Sequence, residues 1–263
     1  MYPERKNLSI NKIIICIPIT LKSREAIEFS LLYKYGSDYL FLGDFFKDNT
    51  TNESCAIATF NKVTEDDSDL VHLFSNLGQG KISNATLEQI NNYQQVVYLI
   101  SYDLGYDACL KMAKFTQVFL SISGIAVKVD SAGVVCEKDK WLANYNSDDV
   151  FDIYSLFVTL IEGENYYYSS GMSNFALADV SIALTEDIGL AIYVMNVFNY
   201  YRLTDTVTLE DGETFQPDSE CPVYQMQWSE CDEYEISNPL HNFYGKWHLS
   251  RINNDLEITY QIN

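Results

Sequence analysis

The sequence predicts an α+β fold, with mixed, mainly antiparallel sheets and helices packed on them. Three observations point there. Short β-branched and aromatic runs, such as Lys12–Thr20 and Gln95–Tyr102, recur along the chain. They alternate irregularly with segments of helical apolar spacing, the strongest being Tyr106–Ser121. The composition, 47% hydrophobic and 21% charged over 263 residues, is that of a folded chain with enough length for a substantial core.

Taken in order, Lys12–Thr20 reads as a buried strand because Ile13 to Ile19 is apolar almost throughout. Ser23–Tyr35 reads as a helix, with Ala26, Ile27, Phe29, Leu31 and Leu32 apolar and Gly36 as its stop. Tyr39–Phe46 and Cys55–Val63 read as strands joined by the polar loop Lys47–Glu53. Glu65–Gln79 reads as a short helix with an apolar patch from Leu70 to Leu77. Strand Gln95–Tyr102, helix Tyr106–Ser121 and strand Ile125–Asp130 make a βαβ-like unit over 95–130. Ser131-Ala132-Gly133 turns the chain into Val134–Cys136, with Trp141 beyond.

Asp148 and Asp149 mark the start of a helix that runs to about Ile161. Tyr166-Tyr167-Tyr168 leads a strand ending near Gly171-Met172. A further helix, about Glu186–Tyr201, follows Thr185 and carries Glu186 and Asp187 in its first turn. Thr204–Leu209, the Asp211-Gly212 turn and Glu213–Phe215 suggest a short hairpin. Val223–Trp228 and Tyr244–Ile252 read as strands, and Asn253-Asn254 leads to the cleanly alternating Leu256–Ile262. No repeat, low-complexity linker or proline-rich hinge interrupts the chain. It reads as one α+β domain over 1–263, with scope for a near-neutral lobe over 1–140 and an acidic lobe over 141–263.

Net charge is −20, and its distribution carries more information than its size. Residues 1–140 hold 14 Lys/Arg against 17 Asp/Glu. Residues 141–245 hold one basic residue, Arg202, against 18 acidic ones, and the last 18 residues are neutral. A field of that sign repels phosphate backbones, which sets nucleic acid aside, and it attracts a basic protein. Solubility is the competing explanation for the same charges. The exposed group expected from the turn and its following loop is Asp205, Glu210, Asp211, Glu213, Asp218 and Glu220. A second group is Glu230, Asp232, Glu233 and Glu235, beside the aromatic anchors Trp228 and Tyr234.

No apolar run approaches the 18 or so residues of a membrane span, and the polar N-terminus lacks signal-peptide form, so a cytoplasmic protein is expected. The six cysteines form no Cys-x-x-Cys pair and the three histidines show no ligand spacing, so neither a metal nor a cofactor is expected. Gly78-Gln79-Gly80-Lys81 lacks the first glycine and the final Ser or Thr of a phosphate-binding loop. There is no Gly-x-Ser-x-Gly elbow. Paired carboxylates such as Asp148-Asp149 and Glu186-Asp187 are explained by helix starts. Glu210-Asp211-Gly212-Glu213 lacks the spaced ligands of a calcium loop.

Residues from about Leu87 to Phe215 resemble a bacterial domain family of unknown function, found as free-standing proteins near polymorphic toxin and type VI secretion loci. The resemblance rests on Tyr98–Asp103 with the helix after it, Gly124–Val129, Gly133-Val134-Val135 with Trp141, Tyr168–Val180 and Leu209–Thr214. Ala176 stands where that family shows glycine. The resemblance brings no catalytic residues. It implies an immunity protein that binds and occludes a cognate, basic toxin. The alternatives are an enzyme with a site near Gly171–Asp179, acting through Asp179 with a histidine, and a secretion-system adaptor.

Overall fold

The computed structural model describes residues 11–62, 69–205 and 207–252. Two sheets organise them, one antiparallel and one mixed. The first has the order β2 (Tyr39–Leu42), β3 (Phe45–Asp48), β4 (Ser54–Asn61), β5 (Gln95–Ser101), β1 (Ile13–Ile19), β6 (Ala126–Val129), β7 (Val134–Glu137). Strand alternation assigns its two faces. Ile13, Ile15, Ile17, Ile19, Val97 and Leu99 enter one core, while Cys16, Val96 and Tyr98 enter the other. Each fully buried isoleucine contributes about 2 kcal/mol of hydrophobic stabilisation. Helices α1 (Arg24–Tyr35) and α4 (Tyr106–Ile122) cover the first face. Helices α2 (Asp69–Gly78) and α3 (Asn84–Asn91) pack on the second.

The βαβ-like unit is present as β5, α4 and β6. Its two strands run in the same direction, and β1 lies antiparallel between them. Ser23 caps α1 by accepting the Ala26 N–H, and Gly36 ends it at φ 61°. Two readings change in this half. Tyr39–Phe46 is two strands, because Gly43 takes φ 63° and folds the aromatic run back on itself. Helix α3 was not expected. It buries only Ile90 and is held by the Ser83 cap.

Helices α5 (Lys138–Asn144) and α6 (Val150–Phe157) link the sheets. The Trp141 indole on α5 is fully buried and donates to the Ala113 carbonyl. Helix α6 stops at Phe157, short of Ile161, because Val158 turns into an extended conformation that opens the second sheet.

The second sheet has the order β11 (Thr214–Phe215), β12 (Tyr224–Ser229), β13 (Lys246–Arg251), β10 (Asp179–Ala183), β9 (Tyr166–Ser170), β8 (Thr159–Glu162). Among the described strands only β10 and β13 are parallel neighbours. Helix α7 (Ile188–Thr204) covers the face carrying Val180, Ile182, Tyr224, Met226 and Leu249. Asp187 is its N-cap, accepting the Leu190 N–H, so the helix begins two residues later than expected. The expected hairpin between Thr204–Leu209 and Glu213–Phe215 does not form. Thr214 and Phe215 pair instead with Gln225 and Tyr224. The alternating segment Leu256–Ile262 lies outside the described residues.

Between the sheets the chain makes a 3-10 turn, Met172–Phe175, whose apolar side chains plug the first core. Asn174 fixes it. Its amide nitrogen donates to the Phe157 carbonyl, its side-chain oxygen accepts from Ser131, and its own carbonyl accepts the Gly105 N–H. Among the described residues no helix is long and apolar enough to cross a membrane.

Candidate functional site

The first acidic group gathers at the β11–β12 edge of the second sheet. Asp205 is the C-cap of α7, and Glu210, Asp211, Glu213, Asp218 and Glu220 follow on the connection to β12; all six are exposed. The Glu210–Glu213 turn is laid along β12. The Gly212 N–H donates to the Met226 carbonyl, and the Met226 N–H donates to that of Glu213. Two carboxylates shape the chain there. Asp211 accepts the Trp228 N–H at 2.7 Å, and Glu213 accepts the Glu210 N–H at 2.9 Å. Asp218 accepts the Tyr193 hydroxyl at 2.8 Å and the Glu220 and Cys221 N–H groups. The Tyr193 bond, followed by the Glu220 N–H, holds the Asp218 carboxyl below its usual range.

This connection walls a groove of about 800 Å³ against α7. Val197 and Tyr201 of α7 form one side, and Val207, Leu209, Phe215 and Pro217 the other. The Phe215 ring meets Phe198 edge-on at 4.9 Å, which closes the groove floor onto the core. The arrangement is a trough of mixed lining, its apolar side chains interspersed with Thr208, Thr214 and Gln216, beside a connection that carries exposed carboxylates. That suits a partner with an apolar anchor set among basic residues.

The second group is divided in its role. Residues 230–245 form a strap across the polar face of the second sheet. Lys246, only 2% exposed, makes ion pairs with Asp232 at 2.9 Å and with Glu233. Burial alone would lower the Lys246 pKa, but Glu233 and Asp232 outweigh it and raise it. Asp232 and Glu233 therefore offset a buried cation and contribute less to an outward field than their number suggests. Glu230 and Glu235 are exposed. Tyr234 is half-buried, with its hydroxyl 3.0 Å from that of Tyr168, so it ties the strap down. Trp228 is 42% exposed and donates its indole N–H to the Tyr244 carbonyl. Gly245, at φ 80°, lets the backbone pass under that ring, because a Cβ there would lie 2.7 Å from it.

The alternative site near Gly171–Asp179 is buried. Asp179 accepts from the Ser169 hydroxyl, the Met172 N–H and the Asn242 amide. None of these partners is a histidine. Burial pushes its carboxyl up to about 6, against the lowering effect of those donors. His248 has both ring nitrogens engaged, Nδ1 with the Ser181 hydroxyl at 2.6 Å and Nε2 with that of Ser229 at 2.9 Å. Burial, then the Lys246 charge, lowers its pKa. His241 pairs through Nδ1 with the Tyr234 carbonyl. Arg202 is buried, donates to the Ala178 carbonyl, and has its guanidinium 4.5 Å from the centre of the Phe198 ring. All six cysteines are unpaired, and burial raises the thiols of Cys16 and Cys55 to about 12.

The α7 side of the groove was not anticipated. The available signal was a helix apolar on every side, which leaves Val197 and Tyr201 to line the groove once one face is used for the core. No group of three or more metal-binding side chains occurs among the described residues. Comparison with protein-family models, with curated proteins and with solved structures found no match to this chain.

Proposed function

We propose that this protein is an immunity protein that acts by binding, docking a basic cognate toxin against the acidic β11–β12 edge and occluding its active surface. The observation that carries the reading is the groove under residues 207–217, part apolar inside and walled by a connection whose carboxylates are all exposed. The placement of Asp179 and His248 supports binding over catalysis, since each is engaged by intramolecular partners. Six unpaired cysteines suit a reducing, cytoplasmic location. The resemblance over Leu87–Phe215 supplies the toxin as the partner class.

The test neutralises the two acidic groups separately, Asp to Asn and Glu to Gln. Association with the product of the neighbouring toxin gene is then followed by stopped-flow fluorescence. Asn and Gln keep the single acceptor oxygen that Asp211 and Glu213 each use, while Asp218, whose two oxygens both accept, is left unaltered. The first group should slow association on the order of tenfold, and raised salt should slow the unaltered protein similarly. The second group should matter less, because Lys246 already offsets two of its charges; Asp232 and Glu233 are left unaltered in that variant, since neutralising them would strand the buried Lys246 without its counter-charges. Equal rates for both variants, together with indifference to salt, would show the acidic half to be a solubility device.

A further inference from the structure

The opposite edge of the second sheet has a different character. Strand β8 bonds to β9 on one side only, and no strand lies on its other side among the described residues. An antiparallel strand directs the N–H and C=O groups of alternate residues to opposite edges. The Gly163 N–H donates to the Tyr166 carbonyl, so the residues bonded to β9 are Gly163, Ile161 and Thr159. Leu160 and Glu162 therefore present their backbone donors and acceptors outward. Leu160 is half-buried and Glu162 exposed. They border a groove of about 450 Å³ between α6 and α7.

One part of the groove wall is apolar, among polar side chains such as Gln79, Ser155, Thr159 and Asn196. Ile188 and Ile192 lie one turn apart on α7, and Phe151 faces them from α6; each is between 40% and 52% exposed. Its charged residues are Lys81, Lys140 and Glu162. Both lysines are exposed, and neither has a carboxylate within salt-bridge distance among the described residues. The groove thus carries a net positive charge in a molecule of charge −20.

We propose that this groove is a second docking site, which takes an extended peptide segment of a partner protein as an added strand on β8. The segment's chemistry follows from the wall. Alternate side chains are apolar, to lie on Ile188, Ile192 and Phe151. At least one of the others is a carboxylate, to meet Lys81 and Lys140. The main chain supplies affinity through the outward groups of Leu160 and Glu162, and the side chains supply selectivity. The two sites take opposite edges of the sheet, whose outer strands lie five strand spacings, about 24 Å, apart, and their grooves lie on either side of α7, Asn196 lining this one and Val197 the other; they favour partners of opposite charge.

The probe is a fluorescent synthetic octapeptide in which Leu or Ile alternates with Glu, titrated into the full-length protein by anisotropy. Saturable binding is expected. The Lys81→Gln, Lys140→Gln double variant should weaken it at least fivefold, and the same peptide with Lys in place of Glu should bind at least tenfold more weakly. N-methylation of the amides on one edge of the peptide should abolish binding, while methylation of the other edge leaves it within twofold. This arm leaves the protein unaltered, so misfolding cannot mimic it. Ile192→Glu, at an exposed position of α7, should also abolish binding. No saturable binding, equal binding of the acidic and basic peptides, or equal loss from methylating either edge would each overturn the proposal. None of these outcomes bears on the acidic edge, which is tested with its own partner.

Discussion

Replacing Gly171 by alanine should nearly unfold the protein without touching any reactive group. Gly171 holds φ 116°, in the half of conformational space that side chains avoid. A Cβ built there would lie 2.1 Å from the Phe157 carbonyl oxygen and 2.7 Å from the Ala132 Cβ. The carbonyl has no room to withdraw. It ends α6 and accepts from Asn174, and its residue's ring is fully buried, edge-on to Trp141 at 5.7 Å and to Phe175 at 6.1 Å. The backbone conformation costs about 1–2 kcal/mol. The Asn174 bond is worth about 1 kcal/mol, and forced repacking of the plug costs about 1–3 kcal/mol. The total is about 3–6 kcal/mol, a large share of the roughly 5–15 kcal/mol that holds a domain together. Urea unfolding followed by tryptophan fluorescence measures it. With a slope of about 3 kcal/mol per molar, the midpoint should fall by 1 M or more at unchanged slope. A loss below about 1 kcal/mol would refute the reasoning, because the backbone would then have yielded at a point argued to be rigid.

Two further perturbations probe the same seam. Asp179, with its carboxyl raised from about 3.8 to about 6, binds more protons folded than unfolded in that interval. Its contribution to stability is therefore full below about pH 4 and falls by about 3 kcal/mol as pH rises through 6. Asp179→Asn should lack that slope, so the difference between the two stability–pH curves, measured by urea melts from pH 4 to 8, should change by about 3 kcal/mol across the interval; parallel curves would count against a buried, raised carboxyl. Ala176 sits at φ 61°, ψ 33°, closing the 3-10 turn. Ala176→Gly should raise stability by about 1 kcal/mol, because relief of the left-handed strain exceeds the entropy glycine adds to the unfolded chain; a thermal melt shows the sign.

The parts of the fold that were legible in sequence are those where local pattern and burial coincide. Strand β1 reads as isoleucine at every other position, and each of those isoleucines is fully buried. Helix α4 shows its spacing because one long face packs on the sheet. What was missed failed for identifiable reasons. Strand β10, Asp-Val-Ser-Ile-Ala, hides because its polar positions find polar partners, Asp179 the Asn242 amide of the strap and Ser181 the His248 ring on neighbouring β13. The run Val158 to Ile161 fits helix and strand equally, and only its pairing with β9 decides. The Phe45–Phe46 pair next to Leu42 made a hairpin look like one continuous strand, with a single glycine as the only sign of the turn.

The candidate site was legible as a region and not as a surface. Counting carboxylates located the acidic half, but charge number is not field. Asp179 is buried and pushed towards neutrality, and Asp232 and Glu233 offset a lysine 13 or 14 positions away in sequence. Nothing in local pattern predicts those pairings, because they are set by the order of strands in the sheet. Once they are removed, the exposed charge of the second sheet is densest beside β11 and β12, while at its β8 edge Lys81 and Lys140 stand with the exposed Glu162 and Glu164. The outer strands lie about 24 Å apart, some three times the screening length of about 8 Å in physiological salt. A partner at either edge therefore feels mainly the charges of that edge. A chain with a net charge of −20 can then hold a basic partner at one end of a sheet and an acidic segment at the other, which its net charge taken alone would forbid.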